Sequence, residues 1–239
     1  RETKGRPIAG TGQLNARAIA ALPFVLTDPQ LQALAEIEQD MASDKRMLRL
    51  LQGDVGSGKT IVALLAMLKA VEAGMQAALM APTELLVRQH LASLEPYARA
   101  AGVRLACLTG REKGAGRDAT LAKLAAGEID ILVGTHALFS EDVSFRDLGL
   151  AVVDEQHRFG VHQRMLLQGK GQLPTDVLVM TATPIPRTLA LTAYGDMDVS
   201  RLTGRPPGRK PVDTRVLNAS RLEEVVAHPR VEQDAGLRA

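Results

Sequence analysis

Two stretches of the sequence carry residue types suited to phosphate chemistry, and the first is GDVGSGKT at 53–60. It fits the pattern G-x-x-x-x-G-K-[ST], in which glycines allow successive backbone N–H groups to surround phosphate oxygens. Lys59 can reach the β- and γ-phosphates of ATP, and the Thr60 hydroxyl can ligate Mg²⁺. The pattern therefore predicts a loop that binds ATP and Mg²⁺ through Gly53, Asp54, Val55, Gly56, Ser57, Gly58, Lys59 and Thr60.

The second stretch is LAVVDEQHRFGVHQR at 150–164, where an apolar run ends in two adjacent carboxylates. Asp154 is placed to hold Mg²⁺ and Glu155 to orient an attacking water. A transition-metal site is the competing hypothesis, because His157 and His162 follow closely. Those histidines are five residues apart, whereas two ligands on one helical face stand four apart. Together with the phosphate loop, the pattern favours Mg²⁺ held by Thr60 and Asp154, with no transition metal.

Short apolar runs alternate with helical patterns along the chain, and these elements must position the two stretches. Continuous apolar runs are typical of strands buried on both faces. Their alternation with helices predicts right-handed crossovers and an α/β fold with a mostly parallel sheet, whose chemistry collects at the carboxyl ends of the strands. The predicted strands are 46–52, 76–81, 103–108, 129–134, 150–154 and 176–182.

Three helices have readable boundaries. One begins after Thr27, a candidate N-cap that forms a capping box with Gln30. A second covers TIVALLAMLKAVEAG and ends at Gly74, a favourable C-cap residue. The third begins at Thr83, and Pro96 is expected to end it because proline cannot donate a helical hydrogen bond.

Composition limits the classes of protein that remain. The chain has 239 residues, 46% of them hydrophobic, and a net charge of +2, so no overall basic field indicates nucleic acid. Cys107 is the only cysteine, which excludes an intrachain disulfide and a thiolate zinc cluster. No apolar run approaches the roughly 18 residues of a membrane span, and no signal peptide is evident, so the predicted location is cytoplasmic, without a membrane partner.

Five segments then resemble the first motor lobe of superfamily 2 helicases: GDVGSGKT, APTELLVRQH, VGTHALF, DEQHRFGVHQR and MTATPIPRTLA, in this order. Among these helicases the RecG family is the most similar, over about residues 22–216. The transcription-repair coupling factor shares TATPIPRTL, but its acidic box usually reads DEE. The resemblance implies a three-layer RecA-like P-loop NTPase domain at 24–217. Residues 1–23 would be a linker or arm from an upstream domain, and 218–239 a tail leading to an absent second lobe.

The resemblance also implies roles for residues outside the phosphate loop. Phe24 and Gln30 would contact the adenine, although the capping box is an alternative role for Gln30. His157 would link the nucleotide site to the rest of the domain, and Thr181 and Thr183 would couple nucleotide state to the grip on DNA. The implied contacts to the DNA backbone are Pro82, Thr83, Arg88, Gly134, Thr135 and His136, and Thr83 could equally be a plain N-cap.

The implied function is that of an ATP-dependent DNA helicase or translocase, with Lys59, Asp154 and Glu155 as catalytic residues. It would remodel forked or branched DNA in bacterial recombination and repair, at the nucleoid, together with a second RecA-like lobe and a fork-binding domain. The isolated first lobe is expected to be nearly inactive. Three alternatives remain open at this point: a transcription-repair coupling translocase, a P-loop small-molecule kinase or nucleotide switch, and a histidine–carboxylate metallohydrolase.

Overall fold

The computed structural model describes residues 4–110, 114–155, 174–182 and 197–203, and these contain a seven-stranded sheet. The strand order is β3-β4-β2-β5-β6-β1-β7, and every neighbouring pair is parallel. The strands are β1 (Leu48–Gly53), β2 (Gln76–Met80), β3 (Leu105–Leu108), β4 (Ile131–Gly134), β5 (Leu148–Glu155), β6 (Asp176–Thr181) and β7 (Asp198–Leu202). The predicted α/β fold with a mostly parallel sheet is confirmed, and six of these strands coincide with predicted apolar runs.

Helices cover both faces of the sheet, which gives three layers. They are α1 (Gln13–Ala20), α2 (Asp28–Met41), α3 (Lys59–Glu72), α4 (Glu84–Ala101) and α5 (Ala115–Ala126), with a short 3₁₀ helix at His136–Phe139. Successive strand residues point to opposite faces. Leu51 and Leu79 therefore pack with the helices α1 to α4, and Leu50 and Met80 pack with Leu124 of α5. Among the described helices, none is long and apolar enough to span a membrane.

Strand β7 was not predicted from the sequence. It pairs with β1 at the edge of the sheet and buries only Ser200 and Leu202. Ser200 is held by a polar contact, because Arg49 of β1 donates to its hydroxyl at 2.9 Å. An edge strand with so few buried positions has no continuous apolar run, which is why the sequence pattern missed it.

Residues 4–23 pack on this lobe rather than standing apart from it. Ile8 and Ala18 are buried in the same core as α3. The Glu72 carboxylate, at the end of α3, accepts hydrogen bonds from the N–H groups of Gly12 (2.6 Å) and Gln13 (2.7 Å) at the start of α1. Helix α1 was not predicted from the sequence. Its origin as an arm from an upstream domain stays a prediction.

Helix α4 continues through Pro96 to Ala101, so the expectation that Pro96 ends it was wrong. Proline removes one helical hydrogen bond and crowds the preceding turn. The helix is nevertheless continued by its packing, because Leu94, Ala98 and Ala101 on its inner face are all buried. Burial of this face outweighs the local preference of one residue.

Candidate functional site

The predicted phosphate-binding loop lies between β1 and α3, the strand and helix context that its pattern requires. Gly56 and Gly58 have φ of 81° and 84°, a left-handed backbone that residues with a Cβ rarely adopt. The N–H of Ser57 donates to the carbonyl of Asp54 at 3.1 Å and closes the turn. Gly58 is the N-cap of α3, so the positive end of this helix faces the loop. This geometry suits an anion such as a nucleotide phosphate.

Lys59 lies across the loop. Its Nζ donates to the carbonyl oxygens of Gly53 (2.5 Å) and Asp54 (2.9 Å). Burial lowers the pKa of Lys59, and the nearby charges of Asp154 and Asp54 oppose this shift. Burial disfavours the charged ammonium group. An anionic partner such as a phosphate would therefore stabilise it more than the two backbone carbonyls do.

The register of the sheet brings the second stretch to the loop. Strand β6 lies between β5 and β1. Thr181 of β6 stands opposite Glu155 of β5 on one side and opposite Gln52 of β1 on the other. Gln52 directly precedes Gly53, the first residue of the loop. Asp154, one residue earlier on β5, has a side chain 17% exposed. The predicted carboxylate, the predicted coupling residue Thr181 and the phosphate loop thus meet at one edge of the sheet, as parallel strands require.

His90 was not predicted from the sequence as a site residue. This histidine, on α4, is buried, and its Nε2 lies 2.6 Å from Oδ2 of Asp154. His90 closes the segment APTELLVRQH, but nothing in that segment alone indicates a contact with a carboxylate 64 residues away.

Gln30 joins the start of α2 to the phosphate loop. Its Oε1 accepts from the N–H of Thr27 at 2.9 Å, as half of the predicted capping box. Its Nε2 donates to the carbonyl of Ser57 at 2.9 Å. Both ends of the amide are therefore engaged in this conformation. Phe24 is about half exposed beside this segment of chain, and adenine contact by either residue stays a prediction.

The predicted DNA contacts follow two adjacent strands. Met80 of β2 stands opposite Gly134 of β4, so the segments after these strands begin side by side. Thr83, Arg88 and His136 are exposed. The other three predicted contacts are less exposed: Pro82 is half-buried, and Gly134 and Thr135 are buried.

Two of these residues have structural roles of their own. Thr83 caps α4 by accepting from the N–H of Leu86 at 3.3 Å. The Thr135 hydroxyl accepts from the N–H of Ala137 at 3.4 Å and caps the 3₁₀ helix. In this conformation the Thr135 side chain does not reach the surface. Contact with DNA stays a prediction for all six residues.

The predicted site residues His157 and Thr183, the side chain of Glu155, and His162 of the disfavoured transition-metal hypothesis lie outside the described part of the chain. The Thr60 hydroxyl and the Asp154 carboxylate are oxygen donors of the kind that Mg²⁺ prefers. Thr60 lies half-buried in the first turn of α3, and the Asp154 carboxylate is close enough to Lys59 to affect its pKa. Within the described residues, no group of three or more histidine, cysteine, aspartate or glutamate side chains could hold a metal ion.

The chain is similar in sequence to bacterial RecG helicases. The chain is 49% identical over 224 residues to the ATP-dependent DNA helicase RecG of Escherichia coli (strain K12), covering 92% of this chain and 32% of that protein. It is 52% identical over 223 residues to RecG of Bacillus subtilis (strain 168), covering 93% of this chain and 33% of the relative. The chain thus spans about a third of the length of these relatives.

Solved structures show the same fold. The structure of RecG bound to a three-way DNA junction has a TM-score of 0.82 and 44% identity, covering 98% of this chain and 31% of that one. The helicase MrfA bound to DNA, at 19% identity and a TM-score of 0.60 over 84% of this chain and 31% of its own, supports the fold alone. The prediction of a RecA-like lobe that resembles RecG is confirmed. The DEAD/DEAH box helicase family model matches residues 27–192, and the chain therefore belongs to that family.

Proposed function

We propose that this chain is the ATP-binding lobe of an ATP-dependent DNA helicase that remodels branched DNA, such as stalled forks and recombination junctions. The observation that carries the proposal is the shared edge of the sheet. Lys59, Asp154 and Thr181 meet at the ends of β1, β5 and β6. The segments after β2 and β4 leave the sheet at the same edge. The high identity to RecG, whose structure is known on a three-way junction, supports branched DNA as the substrate.

In the proposed mechanism, the residues of the loop divide the work on ATP. The N–H groups of the loop and the first turn of α3 hold the phosphates, and Lys59 leaves its backbone carbonyls to contact them. Thr60 and Asp154 would hold Mg²⁺, which neutralises negative charge on the phosphates. Glu155 would orient the attacking water and accept its proton.

The DNA side of the mechanism uses backbone contacts. Exposed Thr83, Arg88 and His136 suit contact with the phosphates of one strand, which positions DNA without reading its sequence. Thr181 and Thr183 would couple this grip to nucleotide state, and His157 would extend the link. A second RecA-like lobe and a fork-binding domain complete the proposed machine, because in this class the arginine that stabilises the transferring phosphoryl group comes from outside the first lobe. The proposed location is the bacterial nucleoid, in DNA repair and recombination.

The test is ATP hydrolysis by the full-length protein with no DNA, with linear duplex, and with a fork of the same length and base composition. We expect the fork to stimulate turnover most. Lys59→Ala should lower kcat by roughly 100-fold or more, the scale for loss of one charge-stabilising donor. Equal stimulation by fork and linear duplex would refute action on branched DNA and favour the transcription-repair alternative. Unchanged turnover in Lys59→Ala would remove the nucleotide site itself.

A further inference from the structure

The contact between His90 and Asp154 has no place in the mechanism described so far. His90 is only 8% exposed, and the two side chains meet at 2.6 Å. An ionised carboxylate has no proton to donate, so Nε2 of the imidazole must be the donor. A hydrogen bond to a charged acceptor is among the stronger ones in proteins. It engages Oδ2 of Asp154 and restricts rotation of the whole carboxylate.

A buried polar pair could serve folding alone, because buried polar groups need partners. The position of Asp154 indicates more than that. Asp154 lies one residue before the end of β5, at the same end of the sheet at which β1 leads into the predicted phosphate loop, and its charge acts on Lys59 of that loop. Groups that hydrogen-bond a metal-binding side chain fix its orientation, and their loss typically weakens metal binding by roughly 10- to 100-fold.

His90 also connects this carboxylate to the element that carries predicted DNA contacts. Thr83 caps α4 and Arg88 lies exposed on it, two positions before His90. His90 stands seven positions after Thr83, which is about 10 Å along a helix at about 1.5 Å per residue. The inner face of α4 is packed in the core through Val87 and Leu94, which lie on either side of His90 along the helix.

We propose that His90 is a positioning residue that orients the Asp154 carboxylate for Mg²⁺ and ties it to α4. The inference rests on the proposed function, since it assigns Asp154 to Mg²⁺ and α4 to DNA. Removing the Nε2 donor should therefore weaken the Mg²⁺-dependent part of nucleotide binding. It should also reduce the effect of nucleotide on DNA affinity.

The experiment uses the full-length protein and two polar replacements. In His90→Gln the amide nitrogen can reach roughly the place of Nε2, whereas in His90→Asn it is one methylene too short. Gln89→Ala is the matched control, because Gln89 is the exposed neighbour on the same helix. Circular dichroism of each variant checks that it is folded. Binding of a fluorescent ADP analogue is then measured in EDTA and during a Mg²⁺ titration.

We expect His90→Asn to raise the half-saturating Mg²⁺ concentration by roughly tenfold, the scale for losing a group that orients a ligand. His90→Gln and Gln89→Ala should stay near the wild type, and binding in EDTA should be the same in all. Unchanged Mg²⁺ dependence in both His90 variants would overturn the proposal. Equal impairment of both would also overturn it, since the Nε2 hydrogen bond would then not decide the effect. If His90→Asn does not fold, His90→Ala, which also lacks the donor, takes its place and is judged by the same outcomes.

A second measurement tests the link to α4. Affinity for forked DNA, with and without a non-hydrolysable ATP analogue, should change less with nucleotide in His90→Asn than in the wild type. An unchanged ratio would overturn the link. A wild type that binds no nucleotide in the presence of Mg²⁺ would instead refute the proposed function itself, so the two failures are distinguishable.

Discussion

Asp176 is the first residue of β6, at the end of the strand far from the predicted nucleotide site. It is buried, and only one of its two carboxylate oxygens accepts a hydrogen bond among the described residues. Only 3% of the residue is exposed. The N–H of Met47 donates to its Oδ1 at 2.8 Å, and among the described residues nothing hydrogen-bonds to its Oδ2. We predict that Asp176→Asn stabilises the protein, and that the gain depends on pH.

The magnitude follows from the pKa of Asp176, which rises from 3.8 to about 7. Burial is the largest cause; the bond from Met47 opposes it, the charge of Asp40 adds to it, and the charges of Arg46 and Arg6 oppose it. A raised pKa means that the folded state prefers the neutral acid. The stability that the neutral Asp176 contributes is therefore fully present below about pH 4, and it is lost as pH rises through about 7. Each pKa unit is worth about 1.4 kcal/mol, so the loss reaches about 4 kcal/mol above pH 7.

Asparagine has the shape of the neutral acid, and its Oδ1 can still accept from Met47. The free energy of unfolding of wild type and Asp176→Asn should be measured by urea denaturation from pH 4 to pH 9. The two should be similar at the acidic end, and the variant should be more stable by up to about 4 kcal/mol at the alkaline end. Asp198→Asn, at an exposed position on β7, controls for the loss of one negative charge. A difference between wild type and Asp176→Asn that is the same at every pH would refute the reasoning.

Two further predictions concern the phosphate loop and the docking of α1. Gly58→Ala should destabilise the protein by about 1–2 kcal/mol, because φ is 84° and an added Cβ would lie 2.2 Å from Nε2 of Gln30; a melting temperature equal to the wild type would contradict this. Burial alone would raise the pKa of Glu72, but hydrogen bonds led by the N–H groups of Gly12 and Leu14 lower it overall. Glu72→Gln should therefore speed amide hydrogen exchange in α1 but not in β1, and the wild type should lose the same protection as pH falls through the lowered pKa. Equal exchange in α1 of both proteins would show that this carboxylate does not hold the helix.

The central strands and the phosphate loop could be predicted because their signals are local. Strands buried on both faces need continuous apolar runs, and β1 to β6 have them. The loop needs residues that tolerate positive φ, and Gly56 and Gly58 supply them within a recognisable spacing. Once parallel strands are inferred, the meeting of Lys59 and Asp154 at one edge of the sheet follows from topology.

Other features of the fold depend on contacts between distant segments. Strand β7 exists because β1 offers it a partner, and Arg49 holds Ser200 from across that pair. Helix α1 has little periodicity of its own, but Glu72 caps its first turn from the end of α3. Helix α4 passes through Pro96 because its buried face outweighs the missing hydrogen bond.

The sequence alone thus determined the fold class and the place of the predicted phosphate loop and Asp154 in it, because these depend on hydrophobic pattern and on backbone freedom at a few glycines. Only the tertiary structure decided which polar groups complete the site. Gln30 reaches the carbonyl of Ser57, and His90 reaches Asp154, across 27 and 64 residues of chain. Such hydrogen bonds require separate elements to be packed within about 3 Å of each other, and residue types and spacing do not encode that proximity.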